Sequence, residues 1–252
     1  MLRQFLAFCL VGLALAAGEA TAQPSKAFHL APQRPGAADV YVVSLGLWGA
    51  QGVFESEAKG ATRILEDRLA AKNRSIVLFN TKRRMTVTDA SARAAVRAVG
   101  QTLDPEEDIA VLFLTSHGGP RGVGVTTGGR NVQVMSPDYV RELLQETRAR
   151  YRVLIVSACY SGVFAEALAN ARTLVITAAA PDRPSFGCED RATWTYFGDA
   201  FFNQALRTES RLDAAFAKAR ALVTQRERRE GFEPSNPQIA GGASVLERLK
   251  ER

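Results

Sequence analysis

Histidine and cysteine are scarce in this chain. Its 252 residues hold two His, His29 and His117, and three Cys, Cys9, Cys159 and Cys188. A structural zinc site takes about four Cys or His ligands, so no metal site is expected, and no cofactor is assigned. Three cysteines are also too few for a disulfide-stapled scaffold. With ten Pro and 20 Gly, the chain is neither collagen-like nor of low complexity. Past the N-terminus no apolar run approaches the roughly 20 residues of a membrane span, and no stable membrane insertion is expected. What is plentiful is ordinary: 46% hydrophobic and 23% charged residues, with 32 basic and 26 acidic side chains interleaved to a formal net charge of +6. That composition is globular rather than disordered. Two basic stretches, Lys82-Arg83-Arg84 and Arg226–Arg229, lack aromatic stacking residues, and Glu227 and Glu230 punctuate the second. They read as solvated faces, so no nucleic-acid partner is expected. Nothing in the sequence demands an obligate protein partner.

Residues 1–22 read as a secretory signal. Arg3 supplies the basic start, Phe5 to Ala17 the apolar run, and Ala20-Thr21-Ala22 the small-x-small cleavage pattern, with Gln23 the expected mature N-terminus. The expected location is exported, periplasmic or secreted. Residues 23–37 carry three Pro and no apolar periodicity. They are expected to form a flexible lead-in, and His29 is set outside any site on that ground. Residues 38–252 are expected to form one domain.

In that domain, apolar runs at Val40–Leu45, Ile76–Phe79, Ile109–Leu114, Val153–Val156 and Leu174–Ile176 are continuous rather than alternating. Such runs suit parallel strands buried on both faces. Helical patterns lie between them: Ile64, Leu65 and Leu69; Ala92, Val96 and Val99; a Ser136-Pro137 start followed by Val140, Leu143 and Leu144; and a long pattern from Leu212 to Val223. The alternation predicts a three-layer α/β/α sandwich on a mostly parallel sheet of about six strands. Active sites in such sheets gather at the carboxyl ends of the strands. Two of those ends are chemically loaded. One run leads into Thr115-Ser116-His117-Gly118-Gly119 and the next into Ser157-Ala158-Cys159-Tyr160-Ser161-Gly162.

A cysteine nucleophile needs an activated thiol, a base within reach and donors for the oxyanion. Cys159, just before an expected helix, is the candidate nucleophile, and His117 the candidate base and later acid. The backbone N–H groups of Gly118 and Cys159 are the candidate oxyanion hole. Taken singly, each residue has a blander reading, an inert buried thiol and a loop histidine. Their shared place at the ends of consecutive strands favours the dyad. A Cys159–Cys188 disulfide in an inactive binding protein stays open as an alternative. Ser161 lacks the preceding Gly of a serine nucleophile elbow.

These motifs make the sequence resemble the bacterial branch of the C13, legumain-like, cysteine peptidase family. The likeness extends through Ser185-Phe186-Gly187-Cys188, Thr195-Tyr196-Phe197-Gly198-Asp199-Ala200-Phe201-Phe202 and Pro234-Ser235-Asn236-Pro237-Gln238, over about residues 38 to 240. The resemblance implies a caspase-like fold and an endopeptidase acting on peptide or protein substrates through a thioester on Cys159, with His117 as base. A transpeptidase using the same dyad is the mechanistic sibling. It also implies a substrate pocket built by Ser157, two before the nucleophile, and by Glu189 and Asp190. Ser157 stands where eukaryotic legumains have an acidic residue. Their orienting Asn falls near Gly46, and their following Arg has no counterpart around Phe54. Acids without a paired base would let the pocket tolerate Lys or Arg as well as Asn.

Overall fold

Five apolar runs become five parallel strands: β1 (Val40–Gly46), β2 (Ser75–Phe79), β3 (Ile109–Thr115), β7 (Tyr151–Ser157) and β8 (Thr173–Thr177). The computed structural model describes residues 28–128 and 131–251, so the signal expected over 1–22 lies outside the described residues. The central sheet runs β2-β1-β3-β7-β8-β9, and its last member, β9 (Gln238–Gly241), pairs antiparallel to β8. Successive residues of each strand feed opposite cores. Val111 and Phe113 of β3 join Val153 and Ile155 of β7 on one face, while Leu112 and Leu114 join Leu154 and Val156 on the other. This two-sided burial explains why the runs are continuous.

The first face is covered by α1 (Gly52–Arg68), by α7 (Leu212–Glu230) and by the segment between β8 and α7. In that segment α5 (Tyr196–Gly198) passes through π-helical turns at Asp199–Ala205 into α6 (Leu206–Thr208). The short α8 (Ala243–Arg248) adds Val245 to the same core. The second face is covered by α2 (Asp89–Thr102), α3 (Pro137–Glu146) and α4 (Gly162–Leu168). Ser136 caps α3, its hydroxyl accepting from Tyr139 N–H at 3.3 Å with Pro137 at the first turn, as the sequence pattern predicts. The expected α/β/α sandwich is the observed one. No helix among the described residues is long and apolar enough to cross a membrane.

Two features differ from expectation. The link between β3 and α3 is not a plain loop but a small antiparallel sheet of β4 (Gly118–Gly119), β5 (Gly122–Val125) and β6 (Gln133–Met135). The described part of the lead-in, residues 28–37, is tied to the body rather than lying outside it. Phe28 and Leu30 pack on the second core, Ala31 N–H donates to Asn73 O at 2.7 Å, and Arg34 pairs with the buried Asp39 at 2.7 Å. Burial of Asp39 requires charged partners, and Arg34 and Arg74 supply them.

Candidate active site

β3 and β7 pair in register with Thr115 opposite Ser157, so His117 and Cys159, each two residues further on, leave the same sheet edge side by side. The ladder continues one step beyond the strands, as Ser116 N–H donates to Ser157 O at 3.2 Å. Gly118 then passes so close to Cys159 that a Cβ on it would lie 2.1 Å from the Cys159 carbonyl oxygen. Glycine is required here by the approach of two backbones. The same geometry leaves donors free. Gly124 N–H donates to His117 O at 2.9 Å, which makes Gly118 opposite Val123 a non-hydrogen-bonded pair in the β4–β5 ladder. Gly118 N–H is therefore unused by that ladder, and Cys159 N–H has no acceptor among the described residues.

The His117 ring is fixed from three sides. Trp48 and Phe54 meet it edge-on, with centroids 4.8 and 5.1 Å away. Nε2 lies 2.6 Å from Gln51 Oε1. Gln51 is itself oriented, because its Nε2 donates to the Cys188 carbonyl at 2.8 Å. With the amide nitrogen so committed, Oε1 must accept, and the ring proton belongs on His117 Nε2. Nδ1 is left as the basic atom. Partial burial disfavours the imidazolium and holds the His117 pKa below its ordinary value.

Cys159 sits on a sharp turn that its neighbours enforce. Tyr160 takes a left-handed φ of 56° and donates its N–H to Arg183 O at 2.8 Å. Ser161 is buried, its hydroxyl accepting from Ala179 N–H at 3.1 Å. Gly162 begins α4 where a Cβ would lie 2.4 Å from the Pro181 ring. The Cys159 sulfur accepts from Ser185 N–H at 3.2 Å and lies 3.3 Å from Ser185 O. Cys159 and Cys188 are both free thiols, and burial pushes the Cys188 thiol up to about 12.

Glu57 of α1 lies fully buried under this edge. Its carboxyl accepts from Thr195 N–H at 3.2 Å and Thr195 Oγ1 at 2.6 Å, and from the Thr115 hydroxyl. Desolvation raises its pKa above the ordinary glutamate value. Ser157 belongs to the same buried group, 1% exposed with its hydroxyl 3.0 Å from Thr195 Oγ1. Its hydroxyl is thus held within the floor beneath the strand ends rather than on an exposed wall. Glu189 and Asp190 are exposed. The expectation that the acids lack a paired base is corrected for Asp190 alone. Asp190 accepts from Gly52 N–H at 2.9 Å and pairs with Lys82 at 3.0 Å, and the two together pull its carboxyl below the usual range. A cavity of about 270 Å³ beside Gln51 is lined by residues of both signs, Glu55, Lys82, Arg83 and Asp190 among them. His29 is exposed, on the docked N-terminal segment. Gln51, Glu57 and Ser185 were not singled out by sequence reasoning as site residues.

A parallel sheet with Cys and His at the ends of adjacent strands defines a caspase-like fold. The crystal structure of Caspase-1 from Spodoptera frugiperda is similar to this chain, with a TM-score of 0.56 at 12% identity over 84% of this chain and 93% of that one. The model of the Peptidase C13 family matches residues 80–242, and the chain belongs to that family. A cysteine-peptidase-type function and a protein or peptide substrate come with the membership. No curated protein matches the chain.

Proposed function

We propose that the protein is an exported cysteine endopeptidase with Cys159 as nucleophile and His117 as base and acid. The observation that carries the reading is the contact of His117 Nε2 with Gln51 Oε1 at 2.6 Å, from which the tautomer is inferred. Its Nε2 proton is committed to Gln51, so Nδ1 holds a lone pair beside the strand end that carries Cys159. Nδ1 takes the Cys159 proton as sulfur attacks the scissile carbonyl. The Gly118 and Cys159 N–H groups, without acceptors among the described residues, receive the oxyanion. The C–N bond then breaks, His117 returns the proton to the leaving amine, and a thioester remains on Cys159. Water, deprotonated by His117, releases the acid and restores the thiol. Glu189 and Asp190 are the substrate-facing acids, and Lys82 beside Asp190 favours an uncharged polar side chain over Lys or Arg. Export rests on the signal pattern of residues 1–22.

Peptide-library cleavage with mass-spectrometric product mapping tests the reading. Cys159→Ala and His117→Ala should each lower kcat/KM by at least about 10³-fold with unchanged melting curves, and the double variant should be little worse. Near-full cleavage by folded Cys159→Ala would overturn the mechanism. Products joined to an added amine would identify the transpeptidase instead.

A further inference from the structure

The wall beyond His117, away from the Ser185 loop, is a second cavity of about 340 Å³. His117 and Gly118 belong to it, together with Trp48, Pro120, Val132 and Val134. None of residues 183–190, which flank the other side of Cys159, takes part. We propose that this cavity binds the side chain of the first or second substrate residue after the scissile bond, and that it selects an apolar one. The proposal rests on the cysteine-peptidase reading and names the substrate feature that the site reads on its leaving-group side.

Three observations carry it. The first is chemical. The proton that frees the leaving amine comes from His117, so the departing chain must start within hydrogen-bond reach of that ring. A cavity walled by His117 and Gly118 is where its first side chains fall. The second is exposure. Val132 and Val134 are 44% and 45% exposed and make up two of the four large hydrophobics so exposed among the described residues. Both point their apolar surface into one recess beside the dyad, which a merely solvated strand has no reason to do. The third is preformation. Trp48 is bridged to Thr126, with Gly49 N–H donating to Thr126 O at 2.8 Å, and its indole lies so close on Gly124 that a Cβ there would approach it to 2.8 Å. The indole therefore forms a fixed shelf, and little ordering cost opposes binding. Arg121, exposed at the rim, sets a positive charge against Lys or Arg in this position.

The test is a peptide series with a constant acyl side and Gly, Leu, Phe, Asp or Lys in the two positions after the cleaved bond. The wild-type protein should prefer Leu or Phe to Gly and Lys by at least about tenfold in kcat/KM, the range that apolar pockets achieve. Val132→Ser with Val134→Ser should bring that ratio within about threefold of unity, while the ranking of acyl-side residues stays as in the wild type. Equal rates across the wild-type series overturn the pocket and leave the peptidase reading standing. No cleavage of any peptide, with Cys159 unreactive to an acyl-side peptidyl alkylating agent, overturns both. If the double variant unfolds, the wild-type series alone decides.

Discussion

His117 meets Trp48, Phe54 and Gln51 at once, and only Gln51 tells its two nitrogens apart. Gln51→Ala should leave the ring in place between the aromatics but free to present either tautomer. The expected result is a fall of about 10- to 100-fold in kcat with KM nearly unchanged, as for the loss of other outer-shell partners that orient a histidine. The pH profile separates positioning from mere structure. Burial lowers the His117 pKa, so the neutral base persists below the ordinary imidazole range, and the acid limb of kcat/KM should lie there. Gln51→Glu sets a carboxylate against Nε2, favours the imidazolium and should move that limb to higher pH while restoring part of kcat. An unmoved limb would show that Gln51 does not act through the ring. Gly118 allows an equally sharp test. The atom facing its absent Cβ is the Cys159 backbone oxygen, so Gly118→Ala must displace the two proposed oxyanion donors. A loss of at least about 10²-fold in kcat is expected, measured beside an unfolding curve that shows the fold intact.

Glu57 joins elements that the sequence keeps far apart. One carboxyl on α1 reaches the ends of β3 and, through Thr195, β7, so the two strands that carry His117 and Cys159 share a buried acid. Its raised pKa has a definite consequence for stability. Between the unfolded glutamate value and the higher folded one, the native state holds a proton that the unfolded chain lacks. Stability is therefore fully present below the unfolded value and is lost as pH rises through the folded one. Glu57→Gln imitates the protonated carboxyl and should gain on the wild type as pH rises from 4 to 8, read from urea midpoints. A constant difference across that range would refute the assignment. The strands of the central sheet were legible because burial on both faces fills the middles of β1, β3, β7 and β8 with largely apolar runs, the buried Thr115, Ser157, Thr173 and Thr177 falling at strand ends. The β4–β6 sheet was not, since Gly118, Gly119, Gly122 and Gly124 carry no side-chain pattern and pair through backbone alone. The short β9 is only partly buried and carries no continuous apolar run. The same distinction divides the site. His117 and Cys159 announce themselves beside their strands, whereas the role of Gln51 depends on a carbonyl 137 residues away. Lys82, likewise, finds Asp190 across 108 residues that no local pattern spans.

The entire chain carries a prediction of its own. If the chain is exported as proposed, N-terminal sequencing should begin at Gln23, and recovery of an uncleaved chain in the membrane fraction would favour an anchor instead. The mature N-terminal segment should then be found docked through Arg34 and Asp39, since the described residues from 28 onward are hydrogen-bonded to the body. The loop after β8 has a further consequence. Ser185 N–H donates to the Cys159 sulfur and the Cys188 carbonyl orients Gln51, so a single stretch of chain restrains both halves of the proposed dyad. That stretch follows His117 and Cys159 in the order of synthesis, and the strand β9 that closes the sheet beyond β8 comes later still. A ribosome thus delivers the sulfur and the imidazole before the clasp that aligns them, and a chain interrupted between residues 160 and 184 bears both reactive groups and no assembled centre.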